Sequence, residues 1–120
     1  MDSLLKSCIV IEDEPLSRQL LVHYANHVEN LVVTAQFGDV AEALTYLQQN
    51  KVDVVLLDSV EIPFVPQSKW MQILDLHSNV IVVSAYPRKM LNLTHRSVKG
   101  MLEKPFSYHD FKTLITQIMN

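Results

Sequence analysis

The strongest constraint in this chain is the run Val54-Val55-Leu56-Leu57-Asp58, four consecutive apolar residues that stop on a carboxylate. A half-exposed strand alternates apolar and polar side chains, whereas a strand covered on both faces reads as a continuous apolar run. The run therefore predicts a strand of a parallel sheet flanked by helices, with Asp58 at its carboxyl end. In open α/β sheets ligands bind outside that end, where strand order reverses. Taken alone, Asp58 reads more simply as the start of a turn, a common place for aspartate.

A second run, Cys8-Ile9-Val10-Ile11, also stops on acid, at Glu12-Asp13-Glu14. Two strands that bring carboxylates to one edge create like-charge repulsion unless a cation joins them. Mg2+ suits such a site, because it takes oxygen ligands from one or two carboxylates together with water and phosphate oxygens. A solvated acidic turn would need no metal.

The remaining pattern alternates strand and helix. Strands are expected over residues 7–11, 31–37, 52–57, 80–83 and 98–102. Pro15 suits a first helical turn, and Leu16, Leu20, Leu21, Tyr24, Ala25 and Val28 recur at helical spacing as one buried face. Asp39 can cap a second helix, whose Val40, Ala43, Leu44 and Leu47 share a face. Pro63 and Pro66 rule out a regular helix or central strand between residues 59 and 68. A short helix over 69–76 turns Trp70, Ile73 and Leu74 inward, with the indole in the core rather than serving as a stacking platform. A thinly apolar helix over 89–96 carries the basic rim Arg88, Lys89 and Arg96. Residues 107–119 form the last helix, capped by Ser107, with Phe111, Leu114, Ile115 and Ile118 spaced to bury one face. Five strands alternating with five helices over short connections imply right-handed crossovers and a doubly wound α/β domain.

The 120 residues suffice for one domain with a real core, and the expected unit is the single domain 1–120. Ten basic against thirteen acidic residues leave a formal net charge of -3, which argues against a nucleic-acid-binding surface on this segment. Cys8 is the only cysteine, so no intrachain disulfide can form. No apolar run approaches the roughly 18 residues of a membrane span. Asp2 and Lys6 around two leucines do not make a signal peptide, and a cytoplasmic location is expected. His23 and His27 lie one turn apart, a spacing that could ligate a metal. Without a third ligand nearby they read as surface residues.

Successive strand ends thus bring Glu12, Asp13, Asp58, Ser84 and Lys104 to one edge. One carboxylate can be a nucleophile toward phosphorus, an acidic pair can hold Mg2+, and a hydroxyl and an ammonium can bind phosphoryl oxygens. Singly, Ser84 could end a strand and Lys104 could be a loop cation; their joint occurrence points to phosphoryl transfer.

The segments Ile9-Val10-Ile11-Glu12-Asp13-Glu14-Pro15, Val55-Leu56-Leu57-Asp58, Val82-Val83-Ser84-Ala85-Tyr86 and Leu102-Glu103-Lys104-Pro105-Phe106 resemble a receiver domain of bacterial two-component response regulators, over nearly the whole chain. The resemblance implies a flavodoxin-like (βα)5 fold, a five-stranded parallel sheet of order 2-1-3-4-5 with helices on both faces. It implies Asp58 as acceptor of a phosphoryl group from a histidine kinase, Glu12 and Asp13 as Mg2+ ligands with Asp58, and Ser84 and Lys104 as phosphate-sensing groups. Signalling would rearrange the face made by the fourth helix, fifth strand and last helix, which would also offer a homodimer surface. The wording from Lys104 to Phe111 is similar to receivers that precede a LytTR-type DNA-binding domain. Such an output domain, absent from this chain, would carry any DNA contact and regulate transcription. A receiver is a phosphoacceptor that assists its own phosphotransfer, not a multiple-turnover enzyme on a small substrate.

Some residues depart from the family pattern. The proline usual four residues after the phosphorylated aspartate is Pro63, five residues on, and no glycine lies between Gly38 and Gly100. The main-chain carbonyl that completes the Mg2+ shell falls by count at Val60. The switch aromatic is replaced by Met101, which has no hydroxyl to reorient. Tyr86 matches a position where bulk shields the phosphoryl group, so a slowly hydrolysed acyl phosphate is expected. Two other readings compete: a receiver-like interaction module that takes no phosphate, motivated by the altered loop, and an Mg2+-dependent phosphohydrolase. The phosphohydrolase reading ranks last, because its usual second acid two residues past the nucleophile is Val60 here.

Overall fold

The computed structural model describes residues 5–58, 68–86 and 95–120. Five strands, β1 (Lys6–Ile11), β2 (Leu31–Phe37), β3 (Val54–Asp58), β4 (Val80–Ser84) and β5 (Val98–Glu103), form one sheet in the order β2-β1-β3-β4-β5, every neighbouring pair parallel. Four helices lie among the described residues: α1 (Pro15–His27), α2 (Val40–Gln49), α3 (Lys69–Leu76) and α4 (Tyr108–Met119). The helix expected over 89–96 falls mostly outside the described residues, as do Pro63, Pro66 and Val60.

The unbroken apolar runs follow from this layering. Side chains alternate across a strand, so Ile9, Ile11, Val55, Leu57, Val80 and Val82 pack on one face with Ala43, Leu44 and Leu47 of α2 and Trp70, Ile73 and Leu74 of α3. Cys8, Val10, Val54, Leu56, Ile81 and Val83 pack on the other, with Leu21, Ala25 and Val28 from α1 and Phe111 and Ile115 of α4. All five residues of β3 and of β4 are buried. Fully burying one such side chain contributes about 1.5–3 kcal/mol, and here neither face can lose its helices without exposing half of every central strand.

The face expected on α1 is shorter than its periodicity suggests. Leu21 and Ala25 are buried, but Leu16 is 72% exposed and Leu20 44% exposed. The spacing identifies a side of the helix; it does not say how far along the helix the covering sheet extends. The caps are as expected for Asp39, whose Oδ1 accepts from the Ala41 amide at 2.9 Å, and for Ser107, whose Oγ accepts from the Asp110 amide at 3.0 Å.

Candidate functional site

The sheet order places the reversal point between β1 and β3, since the chain leaves β1 for β2 on one side and returns to β3 on the other. Parallel register aligns Ile11 with Leu57, Asp58 with Val83 and Ser84 with Glu103, so the residues at and just beyond these ends share the carboxyl edge. Glu12 and Asp58 are nearly inaccessible, at 1% and 6% exposure, whereas Asp13 is exposed. One carboxylate oxygen from each of the three lies within 4.8 Å of the others.

Lys104 closes this cluster. Its Nζ donates to Glu12 Oε1 at 2.7 Å and lies 3.0 Å from Asp58 Oδ1. Burial alone would push the ammonium down, but its hydrogen bonds to Glu12 and Asp58 and their charge hold it above its ordinary value. Burial pushes the Asp58 carboxyl up to about 6; the Lys104 hydrogen bond opposes this, and the charges of Glu12 and Asp13 add to it. Lys104 is held in turn by its own amide, which donates to the Ser84 carbonyl at 2.7 Å, and a cis peptide bond joins it to Pro105.

Ser84 is buried at the end of β4, and its Oγ accepts from the Tyr86 amide at 2.9 Å. A hydroxyl that accepts there keeps its proton to donate elsewhere. Tyr86 is 39% exposed.

Several contributors carry no chemistry-bearing signal in the sequence. Glu14 belongs to α1 rather than to the acidic cluster: its carboxylate accepts from the Ser17 amide at 2.8 Å and the Leu16 amide at 3.3 Å, and those bonds hold it below the usual carboxylate range. Arg18 Nη1 donates to the Glu12 carbonyl at 2.8 Å, fixing the turn that presents both Glu12 and Asp13. It reaches there past Gly38, where an added Cβ would lie 2.8 Å from Nη1. Trp70 Nε1 donates to the Asp58 carbonyl at 3.3 Å. A cleft of about 410 Å³ runs beside Asp58, lined by Asp13, Gly38, Asp39, Lys69 and Trp70 among others. A larger cavity, about 640 Å³, opens near Val52, His77 and Ser97, residues that precede β3, β4 and β5 at the opposite edge, away from the acids.

The arrangement offers hard oxygen donors, a fixed cation and a hydroxyl at the reversal point of a parallel sheet, a donor set that fits Mg2+ and phosphate oxygens. The response regulator receiver domain family matches residues 8–116. This chain belongs to that family. As a receiver domain it shares its fold with the response regulatory domain of the mrkE protein of Klebsiella pneumoniae, at 22% identity, 93% coverage of each chain and a TM-score of 0.76. A DNA-binding response regulator of the LuxR family from Staphylococcus aureus is similar at 21% identity, covering 97% of this chain and 100% of that one, with a TM-score of 0.77. A response regulator receiver protein from Burkholderia phymatum gives 17% identity, 95% and 94% coverage and a TM-score of 0.74. No curated protein matches. At such identities the likeness is one of fold, and it does not single out the LytTR-type receivers that the segment from Lys104 to Phe111 resembles. Among the described residues no helix is long and apolar enough to cross a membrane.

Proposed function

We propose that this receiver domain accepts a phosphoryl group on Asp58 from a histidine kinase in the presence of Mg2+, and passes the signal on by a change of surface. The observation that carries the reading is the Lys104 ammonium held between the buried carboxylates of Glu12 and Asp58, with Asp13 open beside them. Receiver domains as a family partner with histidine kinases.

In the transfer, an Asp58 oxygen forms a bond to phosphorus as the phosphorus–nitrogen bond of the phosphohistidine breaks, and the electron pair leaves with the imidazole. Glu12, Asp13 and Asp58, with the Val60 carbonyl, would hold Mg2+, which when bound neutralises phosphoryl oxygens. Lys104 supplies a positive charge that needs no rearrangement at the moment of transfer, and the Ser84 hydroxyl has its proton available for a phosphoryl oxygen. Positioning and charge neutralisation provide most of the catalysis in such reactions.

Once phosphorylated, Asp58 no longer offers the same oxygens to Lys104. The consequence would travel through the hydrogen bond that the Lys104 amide donates to the Ser84 carbonyl into β5 and α4, the surface proposed to pair with another copy or an output domain. A transcriptional output is supported by the DNA-binding LuxR-family regulator among the similar structures. Transfer from an autophosphorylated histidine kinase tests the reading: label should reach the parent chain, slow in Ser84→Ala and vanish in Asp58→Asn. Label retained by Asp58→Asn would overturn the assignment.

A further inference from the structure

We propose that His23 and His27 on α1 form a second metal site, distinct from the acidic cluster, for one borderline divalent transition-metal ion such as Zn2+ or Ni2+. Both side chains are exposed, one helical turn apart, with ring centroids 4.4 Å from each other. His27 Nδ1 lies 2.8 Å from the His23 carbonyl oxygen. A carbonyl oxygen only accepts, so Nδ1 carries the proton and the neutral ring presents Nε2 as a bare lone pair. That is the state a metal-binding imidazole requires, and a carbonyl holding the other nitrogen is the usual way proteins fix it.

The ring is steadied from a second element. The Tyr108 hydroxyl at the start of α4 donates to the His27 carbonyl at 3.0 Å, and its ring meets the His27 ring edge-on at 6.3 Å between centroids. Among the described residues no hydrogen bond holds the His23 ring, so it can turn to complete the pair. Metal–nitrogen bonds of about 2.0–2.1 Å let one ion bridge two nitrogens up to about 4 Å apart, a span that rings 4.4 Å apart can supply.

Ligand chemistry separates this site from the one at Asp58. Imidazole suits Zn2+, Ni2+ and Cu2+, whereas carboxylate oxygens suit Mg2+. The only group of three or more acidic, thiol or imidazole ligands among the described residues is Glu12, Asp13 and Asp58, so water completes the shell at the histidine pair. Two protein ligands imply micromolar rather than tight binding.

Calorimetric titration of the metal-stripped full chain with Zn2+ or Ni2+, in Mg2+ sufficient to fill the acidic cluster, tests the site. One equivalent should bind, and His23→Gln or His27→Gln should each weaken it at least as much as losing an outer-shell partner, about 10–100-fold. Zn2+ should shift the His27 Nε2 resonance of the parent chain and raise its melting temperature, and the melting temperature of the His23→Gln/His27→Gln double variant should not respond to Zn2+. An unchanged isotherm in the folded double variant would assign the metal to other side chains and end the proposal. So would absence of binding at millimolar metal.

Discussion

The Lys104 ammonium, just beyond β5, lies 3.0 Å from the carboxylate of Asp58 at the end of β3. Across the sheet edge it also meets Glu12 at 2.7 Å, so one cation balances two nearly inaccessible acids. This contact makes the proposed acceptor an anion already paired before any metal or phosphate arrives.

Removing the cation should unbalance the cluster. Lys104→Met leaves Glu12 and Asp58 without their shared partner, and breaking a buried pair costs about 3–5 kcal/mol. The Lys104 side chain is 27% exposed and the acids can take up protons, so the expected loss is smaller, about 1–3 kcal/mol. Urea denaturation with a chelator measures it, and Mg2+ should recover part of the loss.

The raised Asp58 carboxyl sets a pH dependence. In the folded chain it titrates at about 6 against an ordinary 3.8, mainly because it is buried. The folded state therefore binds the proton more tightly across that window, and its stability falls as pH rises from 3.8 to about 6. Asp58→Asn removes the penalty. In chelator, it should be more stable than the parent by about 1–3 kcal/mol at neutral pH, with Lys104's lost partner trimming the gain. At the acid end of the window the difference should disappear.

Arg18 and Gly38 should behave as a unit. An added Cβ at position 38 would lie 2.8 Å from Arg18 Nη1, so the guanidinium that donates to the Glu12 carbonyl would have to shift. Arg18→Ala and Gly38→Ala should each cost about 0.5–1.5 kcal/mol. Their combination should cost less than the sum, by about 0.5–1 kcal/mol in a double-mutant cycle.

These contacts mark the boundary of what the sequence discloses. The strands were legible because a buried parallel strand leaves no polar gap, and the acids at Glu12, Asp13 and Asp58 were legible because they interrupt such runs. Strand order was not, since periodicity says which faces are covered and nothing about neighbours; it came only with the family resemblance. Leu16 and Leu20 continue the apolar spacing of α1 yet stand in solvent, because the spacing has no knowledge of where the sheet ends. The supporting bonds from Arg18 and Trp70 end on main-chain carbonyls, which every residue possesses, so no side-chain pattern announces them. Glu14 follows directly on Glu12 and Asp13, and only the helix start beside it reveals a cap.

Tyr86 should govern how long the acyl phosphate lasts. Its amide is fixed on the Ser84 hydroxyl, and the residue is 39% exposed. The parent is expected to lose phosphate over minutes or longer. Tyr86→Ala should speed the loss on the order of tenfold, a barrier change of about 1.4 kcal/mol. Following phosphoprotein decay after donor removal checks both; loss from the parent within seconds would contradict the shielding role.

The central claim is that Asp58 takes the phosphoryl group, and intact-protein mass spectrometry after incubation with acetyl phosphate addresses it most directly. With Mg2+ the chain should gain the mass of one phosphoryl group, and it should gain nothing with chelator or as Asp58→Asn. A parent chain that stays unmodified with acetyl phosphate and with an active histidine kinase alike would contradict the account and favour an interaction module that takes no phosphate.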